Sequence, residues 1–175
     1  MNRICPNRDV RKLILKYYLS TTDRYLLFYA LGIQESVRSH FITETARSGN
    51  LEVLQWLVKH GGSYNKFTVL CAVQNGHFEV MQWLMENGCP WEHSACSYAA
   101  ENGDLKILKW AQQHKWAREN GCPWNEDTCS NAAENGHLEI LKWLRENGCP
   151  WSKNAYLYAA ENDHLEVVKW LKNCL

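Results

Sequence analysis

The stretch EDTCSNAAENGHLEILKWLRENGCP, residues 126–150, carries the pattern that decides the fold. Its first part places small residues on one face of a predicted helix, because Cys129, Ala132 and Ala133 stand at i, i+3 and i+4. Gly136 ends that helix, since glycine adopts the left-handed conformation without a penalty from a Cβ atom. A second helix follows at once, and its apolar stripe consists of Leu138, Ile140, Leu141, Trp143 and Leu144. The stretch therefore predicts a pair of short helices.

The same pattern recurs along the chain, which indicates repeated units. Five segments related to GHLEILKWL place one residue in the same phase, at steps of 27, 27, 33 and 27 residues. These residues are Gly49, Gly76, Gly103, Gly136 and Asp163. The sequence ENGCPW also appears three times, beginning at Glu86, Glu119 and Glu146. Five units are therefore predicted between about residue 37 and residue 175.

The short helices require stacking, because isolated helices of fewer than about twelve residues are marginal in water. Burying a tryptophan removes roughly 150 to 250 Å² from solvent, so tryptophans are expected to hold the units together. One ladder of second-helix residues is predicted to pack on the following unit: Trp56, Trp83, Trp110, Trp143 and Trp170. A second ladder occupies the connections: Tyr64, Trp91, Trp124 and Trp151.

The segment AAENGHLEILKWLRENG, residues 132–148, resembles the core of the ankyrin repeat. Units built on WLRENGCPW are similar, more narrowly, to ankyrin-like arrays of large DNA viruses and protists. The resemblance extends over residues 41–175. It implies an all-α solenoid of helical pairs that binds another protein and has no catalytic activity.

Two features depart from the usual ankyrin pattern. Ordinary units run to about 33 residues, whereas most steps here are 27. The shortfall lies before the next first helix, so the β-hairpin fingers are predicted to be reduced or absent. The resemblance implies partner contacts through hairpin tips and first helices, of which only the helices carry over. In the longer step, a six-residue duplication within residues 109–120 predicts a second helix that protrudes by about 9 Å.

Residues 1–40 do not fit the repeat and form a separate predicted segment before the array at residues 41–175. One interpretation is an N-terminal helical cap that covers the exposed apolar face of the first repeat, as solenoids require for solubility. The alternative is a degenerate F-box-like segment, which would make the protein a substrate adaptor of a ubiquitin ligase. The Leu-Pro start typical of that motif is absent.

Charge and hydropathy exclude several classes of protein. Residues 1–40 carry seven basic and three acidic side chains, and the remainder carry twelve and sixteen, so the formal net charge is zero. Nucleic acid is therefore not an expected partner. The apolar run at residues 25–32 is too short to span a membrane, and no export signal is evident. Eight cysteines without such a signal favour reduced thiols and an intracellular location, cytoplasmic or nuclear, in a host cell if the gene is viral.

The chemically reactive residues favour structural roles. Cys89 and Cys96 share a C-x6-C spacing with Cys122 and Cys129, but structural zinc sites use closer pairs, so small buried residues explain the thiols better. Three histidines, His77, His137 and His164, occupy one phase of the repeat. A repeated position predicts a repeated structural hydrogen bond across the turn between units. No catalytic motif is present, and we expect no enzyme activity, metal or cofactor.

The first helices offer the best candidate surface for a partner. Matching positions differ between units there, whereas the apolar second-helix positions barely change. Such variation is typical of a recognition surface, and equally of unconstrained solvent-facing positions. Aromatic residues are good anchors for a protein partner. The candidate partner-binding residues are Phe67, Leu70, Tyr98, Asn131, Leu157 and Tyr158.

The fifth unit suggests a further contact. Its second helix carries the apolar stripe of Val167, Val168, Trp170 and Leu171. We expect this C-terminal face to be partly exposed and to allow self-association.

Overall fold

The computed structural model describes residues 35–59, 61–92, 94–114, 124–150 and 153–174. Every regular element within these ranges is an α-helix, and the connections contain no strand. The helices are α1 (Glu35–Ser48), α2 (Leu51–Lys59), α3 (Lys66–Gln74), α4 (Phe78–Glu86), α5 (Ala95–Glu101), α6 (Leu105–Gln113), α7 (Glu126–Glu134), α8 (Leu138–Glu146), α9 (Lys153–Glu161) and α10 (Leu165–Cys174). The predicted helical pairs and the absence of hairpin fingers in the described connections are confirmed.

The ten helices form five units in a row, each with a first and a second helix. Units 1 to 5 are α1 with α2, α3 with α4, α5 with α6, α7 with α8, and α9 with α10. The first helices contact one another in chain order, and first and second helices also contact within units. One apolar core runs through all five units. The predicted solenoid is therefore confirmed.

Small residues allow the first helices to approach closely. In α7, Cys129, Ala132 and Ala133 are almost completely buried, as their shared helical face predicts. The facing α5 contributes Ala99 and Ala100, which are also fully buried. A larger residue on this face would push neighbouring units apart, because interiors are close-packed.

Two first helices begin with a capping box. The side chain of Asn65 accepts the backbone N–H of Phe67, and the side chain of Asn125 accepts that of Thr128. In return, the hydroxyls of Thr68 and Thr128 accept the backbone N–H groups of the two asparagines at 3.2 Å. These side chains satisfy N–H groups that the first turn of a helix otherwise leaves without partners.

The three histidines that share one phase of the repeat form hydrogen bonds across the junctions between units, as predicted. The Nε2 atom of His77 donates to the carbonyl oxygen of Arg47 at 3.0 Å. His137 donates to the backbone carbonyl of Glu101 at 2.9 Å, and His164 donates to the backbone carbonyl of Glu134 at 2.8 Å. Each bond satisfies a carbonyl at the end of the preceding unit's first helix, where no intrahelical partner exists.

Aromatic residues pack differently from the two separate ladders that the sequence predicts. Each described ring of the connections contacts the tryptophan in the second helix of the unit that follows it, and Trp151 lies outside the described residues. The ring centroids lie 6.4 Å apart for Tyr64 and Trp83, 6.3 Å for Trp91 and Trp110, and 5.3 Å for Trp124 and Trp143. The sequence does not predict these contacts between the two ladders. Periodicity places a residue on one face of a helix, but it does not identify the residue that packs against it.

The duplication in the third unit does not lengthen the helix that the structure describes. α6 ends at Gln113 after nine residues, the same length as α4 and α8. His114 follows in an extended conformation, and residues 115–123 lie outside the described residues. The predicted protrusion is therefore not seen in α6 itself. Residues 1–34 also lie outside the described part, so the cap and F-box-like interpretations remain predictions; α1 crosses the boundary at residue 40.

Candidate functional site

The first helices of units 3, 4 and 5 line a solvent-facing groove of about 980 Å³. α5 contributes Tyr98, α7 contributes Asn131, and α9 contributes Tyr158. Trp124, in the connection before α7, also lines the groove. Residues three, four or seven apart lie on one face of a helix, so each first helix presents one column of side chains to the groove.

Hydrogen bonds between first helices fix the spacing of these columns. The hydroxyls of Ser97 in α5 and Thr128 in α7 lie 3.2 Å apart. The amide of Asn131 also donates to the backbone carbonyl of Ser97 at 3.4 Å. Asn131 therefore helps to hold α7 against α5 as well as lining the groove.

The groove is acidic. The described residues that line it include five carboxylates and no lysine or arginine: Glu92, Glu101, Glu126, Asp127 and Glu134. Glu92, at the edge, forms an ion pair with Lys66 at 2.8 Å. The other four side chains are solvent-exposed and form no ion pair within the part of the chain that the structure describes. Their negative charge is therefore left facing the groove.

Three carboxylates on the second helices are arranged differently. The carboxylate of Glu79 lies 3.2 Å from the ammonium of Lys106, and Glu139 and Glu166 have lysines three residues later in the same helix. A backbone hydrogen bond and the ammonium of Lys106 lower the pKa of Glu79. These three carboxylates are therefore balanced locally, unlike those in the groove.

The groove brings together three of the six candidate residues, Tyr98, Asn131 and Tyr158. The other three do not line it. Phe67 is 56% exposed on unit 2, and Leu157 is 51% exposed on the same helix as Tyr158. Leu70 is partly buried against the core, which leaves less of it for a partner.

The acidic residues of the groove were not among the sequence candidates. Variation between first helices includes Glu126 and Asp127, and the acidic excess of residues 41–175 was visible. Their convergence with Glu101 and Glu134 depends on how α5 stacks on α7, which periodicity does not specify.

Two cysteines of the CPW turns, Cys89 and Cys149, donate hydrogen bonds in the core, and Cys122 lies outside the described residues. Cys89 donates to the carbonyl of Asn65 at 3.2 Å, and Cys149 donates to that of Asn125 at 3.3 Å. Burial raises the pKa of the Cys89 thiol to about 12, and a zinc ligand must be a thiolate. The sulfur of Cys149 also lies 2.9 Å from that of Cys129. Among the described residues, no cluster of three or more His, Cys, Asp or Glu could hold a metal ion.

The second helix of the fifth unit has a partly exposed apolar face. Leu165 is 64% exposed, and Val168 and Trp170 are partly buried, whereas Val167 and Leu171 belong to the core. The predicted partial exposure is seen at these residues, and self-association remains a prediction. None of the described helices has the length and apolarity needed to cross a membrane.

Two family models match the chain. The model for three copies of ankyrin repeats matches residues 96–174, and the model for many copies matches residues 42–85. No individual curated protein matches the chain. Neither family match supports the F-box-like alternative, which rests on residues 1–40. The two matched stretches coincide with the stacked helical pairs, so the chain contains ankyrin repeats within residues 42–85 and 96–174.

Proposed function

We propose that this protein is a non-catalytic interaction scaffold that binds its partner in the groove formed by α5, α7 and α9. Ankyrin repeats mediate binding to other proteins, which supports the general role. The observation that carries the specific site is the meeting of Tyr98, Asn131 and Tyr158, from three separate units, in one groove. Stacked helices hold these side chains in place before binding, so little conformational entropy is lost when a partner docks.

The narrower likeness and the location belong to the same proposal. The WLRENGCPW units support a relation to the ankyrin-like arrays of large DNA viruses and protists. Six described cysteines are free thiols, five of them buried, which supports action in a reducing intracellular compartment.

Selection of binders from a random peptide library, displayed against the full chain, tests the proposed groove. We expect enriched peptides whose affinity falls at least tenfold in Tyr158→Ala, because a central aromatic anchor contributes about 2 kcal/mol. Tyr98→Ala should act similarly, and its unfolding transition is measured alongside because Tyr98 packs against the core.

Leu165→Ala is the matched control, since Leu165 is an exposed apolar residue that does not line the groove. It should leave the affinity unchanged. Phe67→Ala shows whether the contact extends to unit 2. A library that yields no binder, or binders insensitive to both tyrosines, would contradict the proposed site.

A further inference from the structure

We propose that the groove recognises a basic protein segment in an extended, polyproline II-like conformation, with lysine or arginine at every third position. This inference rests on the proposed function and specifies the chemistry of the partner. It follows from the charges of the groove, the spacing of its helices and the positions of its tyrosines.

The negative charge of the groove predicts a positively charged partner. Glu101, Glu126, Asp127 and Glu134 are exposed and form no ion pair within the described residues, although lysines balance Glu79, Glu139 and Glu166 on the second helices. Like charges that converge repel one another and disfavour the fold, whereas a cationic partner converts the repulsion into attraction. A nucleic acid would bring more negative charge to the same place.

The spacing of the first helices gives the conformation of the partner. Packed helices lie about 8 to 10 Å apart. A polyproline II segment rises about 3.1 Å per residue with three residues per turn, so every third side chain returns to the same face about 9 Å further on. Basic residues at that interval would therefore reach successive first helices. A β-strand turns alternate residues to opposite faces and would not match this interval.

The tyrosines give the partner an apolar contact. Tyr98 and Tyr158 lie on the first and last of the three helices, with the carboxylates of α7 between them. Polyproline II segments bind in grooves lined by aromatic side chains, and an arginine over a tyrosine ring gains a cation–π interaction. The groove thus combines tyrosines on its two outer helices with negative charge on α5 and α7.

The test uses the full chain and two synthetic peptides of about twelve residues with the same composition. The first carries four arginines, each separated from the next by one proline and one alanine, and the second carries the four arginines in one block. We expect the spaced peptide to bind at least threefold more tightly by isothermal titration calorimetry. Raising sodium chloride from about 0.05 to 0.5 M should weaken its binding about tenfold or more, because screening acts on exposed charges.

The triple variant Glu126→Gln, Asp127→Asn and Glu134→Gln should lose about tenfold in affinity for the spaced peptide. The double variant Glu139→Gln and Glu166→Gln is the matched control on the second helices and should bind normally. Circular dichroism of both variants establishes that they fold. Equal affinity for the two peptides, no measurable binding of either, or equal losses in the two variants would overturn the inference.

The two proposals fail in different ways. If the random library enriches peptides that depend on Tyr158 but lack basic residues, the groove is the binding site and the inference about charge is wrong. If the library gives no binder at the groove, the proposed function is contradicted directly. If the enriched peptides are basic and carry the three-residue interval, both proposals are supported.

Discussion

The junctions between units are made in two ways. The junctions of units 1 with 2, 3 with 4, and 4 with 5 use His77, His137 and His164, which reach back to a carbonyl of the preceding first helix.

At the junction of units 2 and 3, Asp104 occupies the histidine phase. There Asn102 donates instead to the carbonyls of residues 73 and 74, at 3.1 and 3.0 Å. The same helix end is thus satisfied from two different positions of the following unit.

The difference between the two kinds of junction explains why glycine stands at the histidine junctions. A Cβ atom at Gly136 would lie 2.7 Å from Nδ1 of the His164 ring, and one at Gly103 would lie 2.9 Å from the His137 ring. At Gly76, opposite Asp104, the nearest atom would be a carboxylate oxygen at 3.4 Å, an ordinary contact. The histidine junctions therefore need glycine for space as well as for its backbone conformation.

Gly136→Ala should have the largest effect on this comparison. Gly136 has a φ of 74°, which costs another residue about 1 to 2 kcal/mol. The His164 ring must also swing away and lose its hydrogen bond, so we expect a total loss of about 2 to 4 kcal/mol. Equilibrium unfolding in urea measures the change.

Gly148→Ala is the matched control, because its φ is also 74° and nothing lies within 4 Å of a Cβ atom there. It should lose only the conformational part, about 1 to 2 kcal/mol. In the His164→Ala background, the cost of Gly136→Ala should fall towards that of the control. Equal losses at the two glycines would mean that the ring places no demand on the junction.

Asn102→Ala should have an intermediate effect and tests the other kind of junction. The change leaves the carbonyl of residue 74 without this donor, whereas that of residue 73 keeps the backbone N–H of Gly76 at 3.0 Å, so we expect a loss of about 1 to 2 kcal/mol. The control is Asn135→Ala, since Asn135 occupies the same phase but donates only to Asn131 of its own helix, at 3.0 Å. Its loss should be smaller. If thermal or urea unfolding shows no difference between the two variants, the bonds of Asn102 do not hold the junction.

Asp104→Asn should have the smallest effect, with a distinctive pH dependence. Burial raises the pKa of Asp104, and His137 partly opposes the shift. The folded state therefore holds the proton more tightly than the unfolded state, and stability decreases as pH rises through the folded pKa. The variant removes this decrease, so it should unfold slightly above the parent temperature at pH 7 and lose the advantage below about pH 4.

Glu79→Gln is the control of opposite sign, because the pKa of Glu79 is lowered. It should be slightly less stable than the parent at pH 7, and the difference should vanish as the carboxylate becomes protonated in acid. A gain at pH 7 that persists unchanged in acid for Asp104→Asn would show that ionisation is not its cause.

The helical pairs and the histidine junctions could be predicted because the same residues recur at the same positions in several units. A glycine and a histidine in one phase of several units are read as one structural device, and the bonds of His77 and His137 confirm it. The exchange at Asn102 could not be predicted. Asparagines in that phase, such as Asn75, bond within their own helix, and the choice depends on the neighbouring unit.

The groove itself was not predicted from the sequence, although three of the six candidate residues line it. Variation between units pointed to Tyr98 and Tyr158 among the candidates, but the sequence does not show that Phe67 lies outside the same concavity. The capping boxes of α3 and α7 are visible in the sequence as Asn-x-x-Thr, a local pattern that does not depend on how the units stack. Which carboxylates converge depends on distances between units, and those emerge only when the helices stack.

Glu101 and Glu134 each take part in two structures at once. Their backbone carbonyls receive the imidazoles of His137 and His164, and their carboxylates line the groove. A ligand that binds the carboxylate of Glu101 or Glu134 therefore lies close to the ring of His137 or His164. The nuclear magnetic resonance signals of these rings respond to the local electric field and geometry. The unmodified chain thus carries its own pair of spectroscopic sensors, and His77, bonded to Arg47 away from the groove, supplies an internal reference.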